Sequence, residues 1–89
     1  MTVSREVRIA NRRGLHARAS AKFVTLAAQQ PVSVHVAKGD SSVTGTSIMG
    51  LMMLGAAMGD TITISAQGDE ADVVVATMCG LVEAKFGED

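Results

Sequence analysis

Apolar and polar positions alternate in four short stretches of this chain, and between those stretches apolar residues recur every three or four positions. The first pattern is that of strands with one buried face, the second that of amphipathic helices. Val7 and Ile9 fall on one face and Glu6 and Arg8 on the other, which predicts a half-buried strand running to a turn at Asn11 to Gly14. From about Ala17 to Gln29 helical spacing takes over. There Phe23, Leu26 and Ala27 share one stripe, Lys22 and Thr25 face water, and Pro31 stops the helix. Val32, Val34 and Val36 alternate with Ser33 and His35 in a second strand, which Lys38-Gly39-Asp40 reverses into a third, Ser42-Val43-Thr44. Thr46 or Ser47 is expected to cap a short helix from Ile48 to Leu54, ended by Gly55 and Gly59. Ile62, Ile64 and Ala66 then point one way while Thr61, Thr63 and Ser65 point the other, as in a fourth strand. Asp69 is expected to cap the last helix, with Asp72 in its first turn, Val74, Met78, Leu81 and Lys85 as its stripe, and Gly87 as its stop.

The resulting order is β-α-β-β-α-β-α. Strands with one apolar face and helices with one apolar stripe bury both when the helices cover a single side of the sheet. The expected fold is therefore an α+β open-faced sandwich, a four-stranded antiparallel sheet under three helices. With 89 residues and no linker or low-complexity segment, residues 1–89 are expected to form one domain.

Composition narrows the function. Only Phe23 and Phe86 are aromatic, so the interior is built from Val, Ile, Leu, Met and Ala, and no base-stacking platform is available. Eight basic residues against nine acidic give a net charge of −1, which argues against nucleic acid as a partner. A small RNA-binding module, suggested by the glycine-containing loop from Gly45 to Gly50, is disfavoured on both counts. Cys79 is the only cysteine, which rules out an internal disulfide, makes a cysteine-built metal site implausible and suits a reducing cytosol. No apolar run approaches a membrane span, so no membrane partner is expected.

The chemistry concentrates in Asn11-Arg12-Arg13-Gly14-Leu15-His16-Ala17-Arg18-Ala19-Ser20, where a histidine stands at the head of a helix with an arginine two residues on. A helix start leaves its first N–H groups unpaired and carries roughly half a positive charge, so an anion on the histidine would be held there. Neutral imidazole is nucleophilic enough to attack phosphorus near neutral pH. Helix-terminal amides and one guanidinium supply moderate compensation for the resulting phosphoramidate, which has to leave again. The motif has no second histidine, carboxylate pair or cysteine for hydrolysis, so it suits holding a phosphoryl group rather than consuming one. His35, alternating with buried valines, is expected on the outer face of its strand.

Gly14-Leu15-His16-Ala17-Arg18 resembles the active-site motif of the HPr family, the histidine-containing phosphocarriers of the bacterial phosphotransferase system. Ser47-Ile48-Met49-Gly50-Leu51-Met52 is similar to that family's regulatory serine and the short helix after it. The resemblance implies a phosphocarrier, not itself an enzyme, that needs no cofactor or metal. It would accept a phosphoryl group from enzyme I on Nδ1 of His16 and pass it to enzyme IIA proteins. The N–H groups of Ala17 and Arg18, with the Arg18 side chain, would surround the phosphate; the residues by themselves do not choose the ring nitrogen. Ile48, Met49 and Met52 would dock partners, Ser47 would be the target of an HPr kinase/phosphorylase, and a transiently docking carrier suits a cytoplasmic monomer. Without that resemblance, Ser47 reads as an ordinary helix cap. The family usually has proline where Ala19 stands and alanine where Ser20 stands, so a looser helix start is expected here. That departure, and Thr25 and Ala28 where lysines are often found, keep open a regulatory module of the nitrogen-related branch, acting by phosphorylation-dependent binding.

Overall fold

The protein is described here by a computed structural model covering residues 1–88. In chain order it comprises β1 (Thr2–Arg8), α1 (Ala17–Ala28), β2 (Val34–Lys38), β3 (Ser41–Thr44), α2 (Ile48–Met53), β4 (Thr61–Gln67) and α3 (Ala71–Glu83), closed by a 3-10 turn at Lys85–Gly87. The four strands form one antiparallel sheet in the order β1-β4-β2-β3, with the helices on one side.

Register follows from the alternation. Val7 lies opposite Ile62, Ile64 opposite Val36, and Ala66 opposite Val34, so each buried side chain of the central strand β4 meets another on the helix side. His35 is exposed, between Thr44 and Ser65 on neighbouring strands. Phe23 and Ala27 of α1, Leu51 of α2 and Val74, Val75, Met78 and Val82 of α3 close the core over this face. Among the described residues no helix is long and apolar enough to cross a membrane.

Two expected helix ends differ from the sequence reading. The residue capping α3 is Glu70 rather than Asp69, and its side chain makes no capping bond. Gly68, at φ +115°, turns the chain so that Ala71 N–H reaches the Gly68 carbonyl at 3.2 Å, and this backbone bond starts the helix. At the other end α3 stops at Glu83, ahead of Gly87. Lys85 and Phe86 take φ values of 59° and 55°, left-handed backbone that non-glycine residues adopt at a cost. Burial of the Phe86 ring and a 2.7 Å bond from Lys22 Nζ to the Phe86 carbonyl hold the reversal. Its consequence is to bring Glu88 back across the start of α1.

Gly80, inside α3, has open space where a Cβ would project. Gly80→Ala should therefore stabilise the fold by about 1 kcal/mol through lower chain entropy, raising Tm by roughly 4–8 °C in a scan of both proteins.

Candidate functional site

His16 is the residue capping α1, with extended backbone at φ −72° and ψ −179°. The preceding turn is fixed by bonds from Asn11 Nδ2 to the Gly14 carbonyl at 2.8 Å and from Leu15 N–H to the Ala56 carbonyl at 3.0 Å. Ser20 is fully buried and its hydroxyl donates to the Leu15 carbonyl at 3.1 Å, fastening the peptide immediately before His16. Where the sequence led us to expect a loosened helix start, Ala19 is fully buried and this Ser20 bond ties the first turn to the loop.

The two ring nitrogens are distinguished by their partners. Arg18 N–H donates to Nδ1 at 3.3 Å, and Nε2 lies 2.5 Å from Glu88 Oε2. One neutral tautomer satisfies both contacts: Nδ1 carries the lone pair and Nε2 the proton, donated to the carboxylate. Glu88 was not found by sequence reasoning. It lies 72 residues beyond His16 and reaches it only through the left-handed reversal, which no local pattern announces. Its other oxygen, Oε1, accepts from Asn11 Nδ2 at 3.1 Å. Burial pushes the Glu88 carboxyl up, but hydrogen bonds from Asn11 and His16 and the nearby Lys22 charge outweigh it and hold the group below its ordinary value. Asn11 is itself fully buried, and its Oδ1 finds no hydrogen-bond partner among the described residues.

Arg12, Arg13, His16, Arg18 and Glu88 line a concavity of about 450 Å³. Three guanidinium groups against one carboxylate make it suited to a dianion. The Asn11 to Gly14 turn brings Arg12 and Arg13 onto the same opening as Arg18. Ala17 contributes its backbone as the first residue of the helix, and its side chain is exposed.

Ser47 caps α2, its hydroxyl accepting from Gly50 N–H at 3.0 Å. Leu51 and Leu54 are buried, whereas Ile48, Met49, Met52 and Met53 are exposed, as is Met58 beyond the helix. These exposed side chains make an apolar patch. It is joined to the His16 turn by the Leu15–Ala56 bond. His35, on the opposite side of the sheet, is not part of either group.

The family model for the PTS HPr component phosphorylation site matches residues 3–84. A phosphocarrier protein NPr from Shewanella violacea is 40% identical over 97% of this chain and 94% of its own length. A phosphocarrier protein HPr from Neisseria meningitidis serogroup A is 47% identical over 97% of each. The crystal structure of HPr-C-His from Thermoanaerobacter tengcongensis superimposes with a TM-score of 0.91 at 37% identity, covering 98% of both chains. With matching sequence over nearly its whole length and the same open-faced sandwich, the chain belongs to the HPr family, the phosphocarrier proteins of the phosphotransferase system.

Proposed function

We propose that this protein is an HPr-type carrier that takes a phosphoryl group from phosphorylated enzyme I onto Nδ1 of His16 and gives it to a histidine of an enzyme IIA protein. The observation that carries this reading is the pair of contacts on the His16 ring, Nδ1 facing the helix start and Nε2 held by Glu88. In the transfer step the Nδ1 lone pair forms the new N–P bond as the donor's bond to phosphorus breaks. The ring becomes a phosphoimidazolium whose Nε2 proton remains shared with Glu88, so developing positive charge meets a carboxylate. The phosphoryl oxygens fall to the N–H groups of Ala17 and Arg18 and to the Arg18 guanidinium. Arg12 and Arg13 add attraction at the rim. Return of the electron pair to Nδ1 releases the group to the acceptor, with the protein acting as carrier and its partners as catalysts. Ile48, Met49 and Met52 form the docking surface of a cytoplasmic monomer.

The test is incubation with phosphoenolpyruvate and enzyme I, followed by intact mass and addition of an enzyme IIA protein. The protein should gain one phosphoryl group, stable in base and lost in mild acid, and discharge it onto the acceptor. A label stable to acid, or none, contradicts the reading. A second reading, the regulatory nitrogen-type branch, draws support from the NPr relative and from Ala19 in place of the usual proline. The acceptor that discharges the protein fastest separates the two.

Glu88→Gln keeps the side chain's size and removes the charge opposite Nε2, so transfer should slow by roughly tenfold. Because the folded carboxyl titrates below its ordinary value of 4.5, the stability it supplies is complete above that value and disappears as pH falls through the lowered one. The Tm difference between wild type and Glu88→Gln should accordingly be present at neutral pH and close on acidification. A difference that grows below pH 4.5 contradicts the assignment.

Ser47 is proposed as a phosphorylation site for an HPr kinase/phosphorylase, a phosphate there placing nearly two negative charges beside the docking surface. Ser47→Asp should leave Tm close to wild type and slow transfer from enzyme I. Ser47→Ala should lose up to about 1 kcal/mol with the cap and leave the charge of the docking surface unaltered. Ser47→Asp transferring at the wild-type rate would return Ser47 to a purely capping role.

A further inference from the structure

Six methionines are distributed very unevenly over the surface of this protein. Met78 is 0% exposed in the core, Met1 is 71% exposed ahead of β1, and Met49, Met52, Met53 and Met58 are 64%, 41%, 80% and 58% exposed. Met49, Met52 and Met53 stand at spacings of three and four on one side of α2. Met58 follows two residues after Ala56, whose carbonyl holds the Leu15 N–H next to His16. Four accessible thioethers are therefore gathered within ten residues, beside the phosphoryl-accepting turn.

We propose that α2 and the turn after it form a methionine-oxidation site, at which a hydroperoxide converts these thioethers to sulfoxides and thereby shuts off phosphoryl transfer. A sulfur lone pair attacks the terminal peroxide oxygen, the O–O bond breaks and an S–O bond forms. The sulfur is oxidised, and the peroxide is reduced and leaves as an alcohol or water once the proton moves to the departing oxygen. The thioether is apolar and flexible; the sulfoxide is polar and a strong hydrogen-bond acceptor. A patch that a partner desolvates for its apolar contacts would then carry up to four groups that hold water. Sulfoxides are reducible, so the change is reversible. Burial shields Met78, which keeps the core intact while the surface responds. The effect on transfer rests on the docking role proposed above for this patch; the selectivity of oxidation rests on exposure alone.

The experiment treats the purified protein with hydrogen peroxide, removes the oxidant with catalase, and then measures Tm, maps oxygen by peptide mass, and records transfer from phosphorylated enzyme I. Oxygen, about 16 Da each, should appear at Met49, Met52, Met53 and Met58 well before Met78, with transfer slowed at least about fivefold at unchanged Tm. Methionine sulfoxide reductases should restore the rate. In a protein carrying Met49→Leu, Met52→Leu, Met53→Leu and Met58→Leu, the ratio of rates after and before peroxide should stay near one, whatever the starting rate. Early oxidation of Met78, or a fully sulfoxidised patch that transfers at the untreated rate, overturns the proposal. Met49→Gln with Met52→Gln separates the two readings. If that protein slows while the sulfoxidised one does not, docking at this patch stands and the oxidation switch falls; if neither slows, both fall.

Discussion

His16→Ala should reduce acid-labile phosphorylation by enzyme I to background, the largest functional effect expected of any single change in this protein. The substitution removes the only imidazole that faces the arginine-lined concavity among the described residues, and with it the nucleophilic nitrogen. No neighbour can take its place: Ser20 is buried and bonded to Leu15, and His35 lies on the exposed sheet face. Stability should change far less than activity. The cap bond to Arg18 N–H is lost, for about 1 kcal/mol, and Glu88 keeps its bond from Asn11. His35→Ala should accept phosphate at the wild-type rate. Measuring phosphate uptake and Tm for both variants distinguishes loss of the acceptor from loss of the fold.

The largest structural effect is expected of Gly14→Ala. Gly14 has φ +64°, and an added Cβ would stand 2.3 Å from the Ala56 carbonyl oxygen and 2.9 Å from Ala57 Cα, both backbone atoms that cannot rotate away. Left-handed alanine costs about 1–2 kcal/mol and forced displacement of packed backbone about as much again, giving roughly 3 kcal/mol. For a domain of this size that corresponds to a Tm lowered by about 12–24 °C. Gly39→Ala isolates the clash from the strain: Gly39 has a similar φ of +59° but nothing within 4 Å of a Cβ, so only about 1–2 kcal/mol should be lost. Equal losses for the two variants would show that the Gly14–Ala56 contact contributes nothing. Since that contact also sets the Leu15 peptide before His16, the folded fraction of Gly14→Ala should transfer more slowly than its amount accounts for.

Much of this architecture is legible in the order of residues because it rests on local rules. The Ile62, Ile64 and Ala66 alternation appears as β4, the Phe23 and Ala27 stripe as the buried face of α1, and Ser47 caps α2 through Gly50. The position of His16 at a helix start follows equally from the glycine turn before it. What stayed hidden depends on contacts between distant parts of the chain. Glu88 reaches His16 and Asn11 across 72 and 77 residues, guided by left-handed backbone at Lys85, Phe86 and Gly87, of which the glycine signals a helix stop but not where the tail returns. Asn11, a turn residue by composition, is buried because its amide bridges that returning tail to the Gly14 turn. The start of α3 differs by one residue for a local reason. Asp69 is a good capping residue type, but the Gly68 backbone already starts the turn.

The assignment of transfer to one atom is tested most directly by nitrogen magnetic resonance of the protein labelled at its histidines, before and after phosphorylation by enzyme I and phosphoenolpyruvate. The expected result is phosphorus coupling at Nδ1 of His16 alone, with Nε2 still protonated against Glu88 and the His35 signals unmoved. Coupling at Nε2, at His35, or phosphate found on a hydroxyl instead of an imidazole would contradict it.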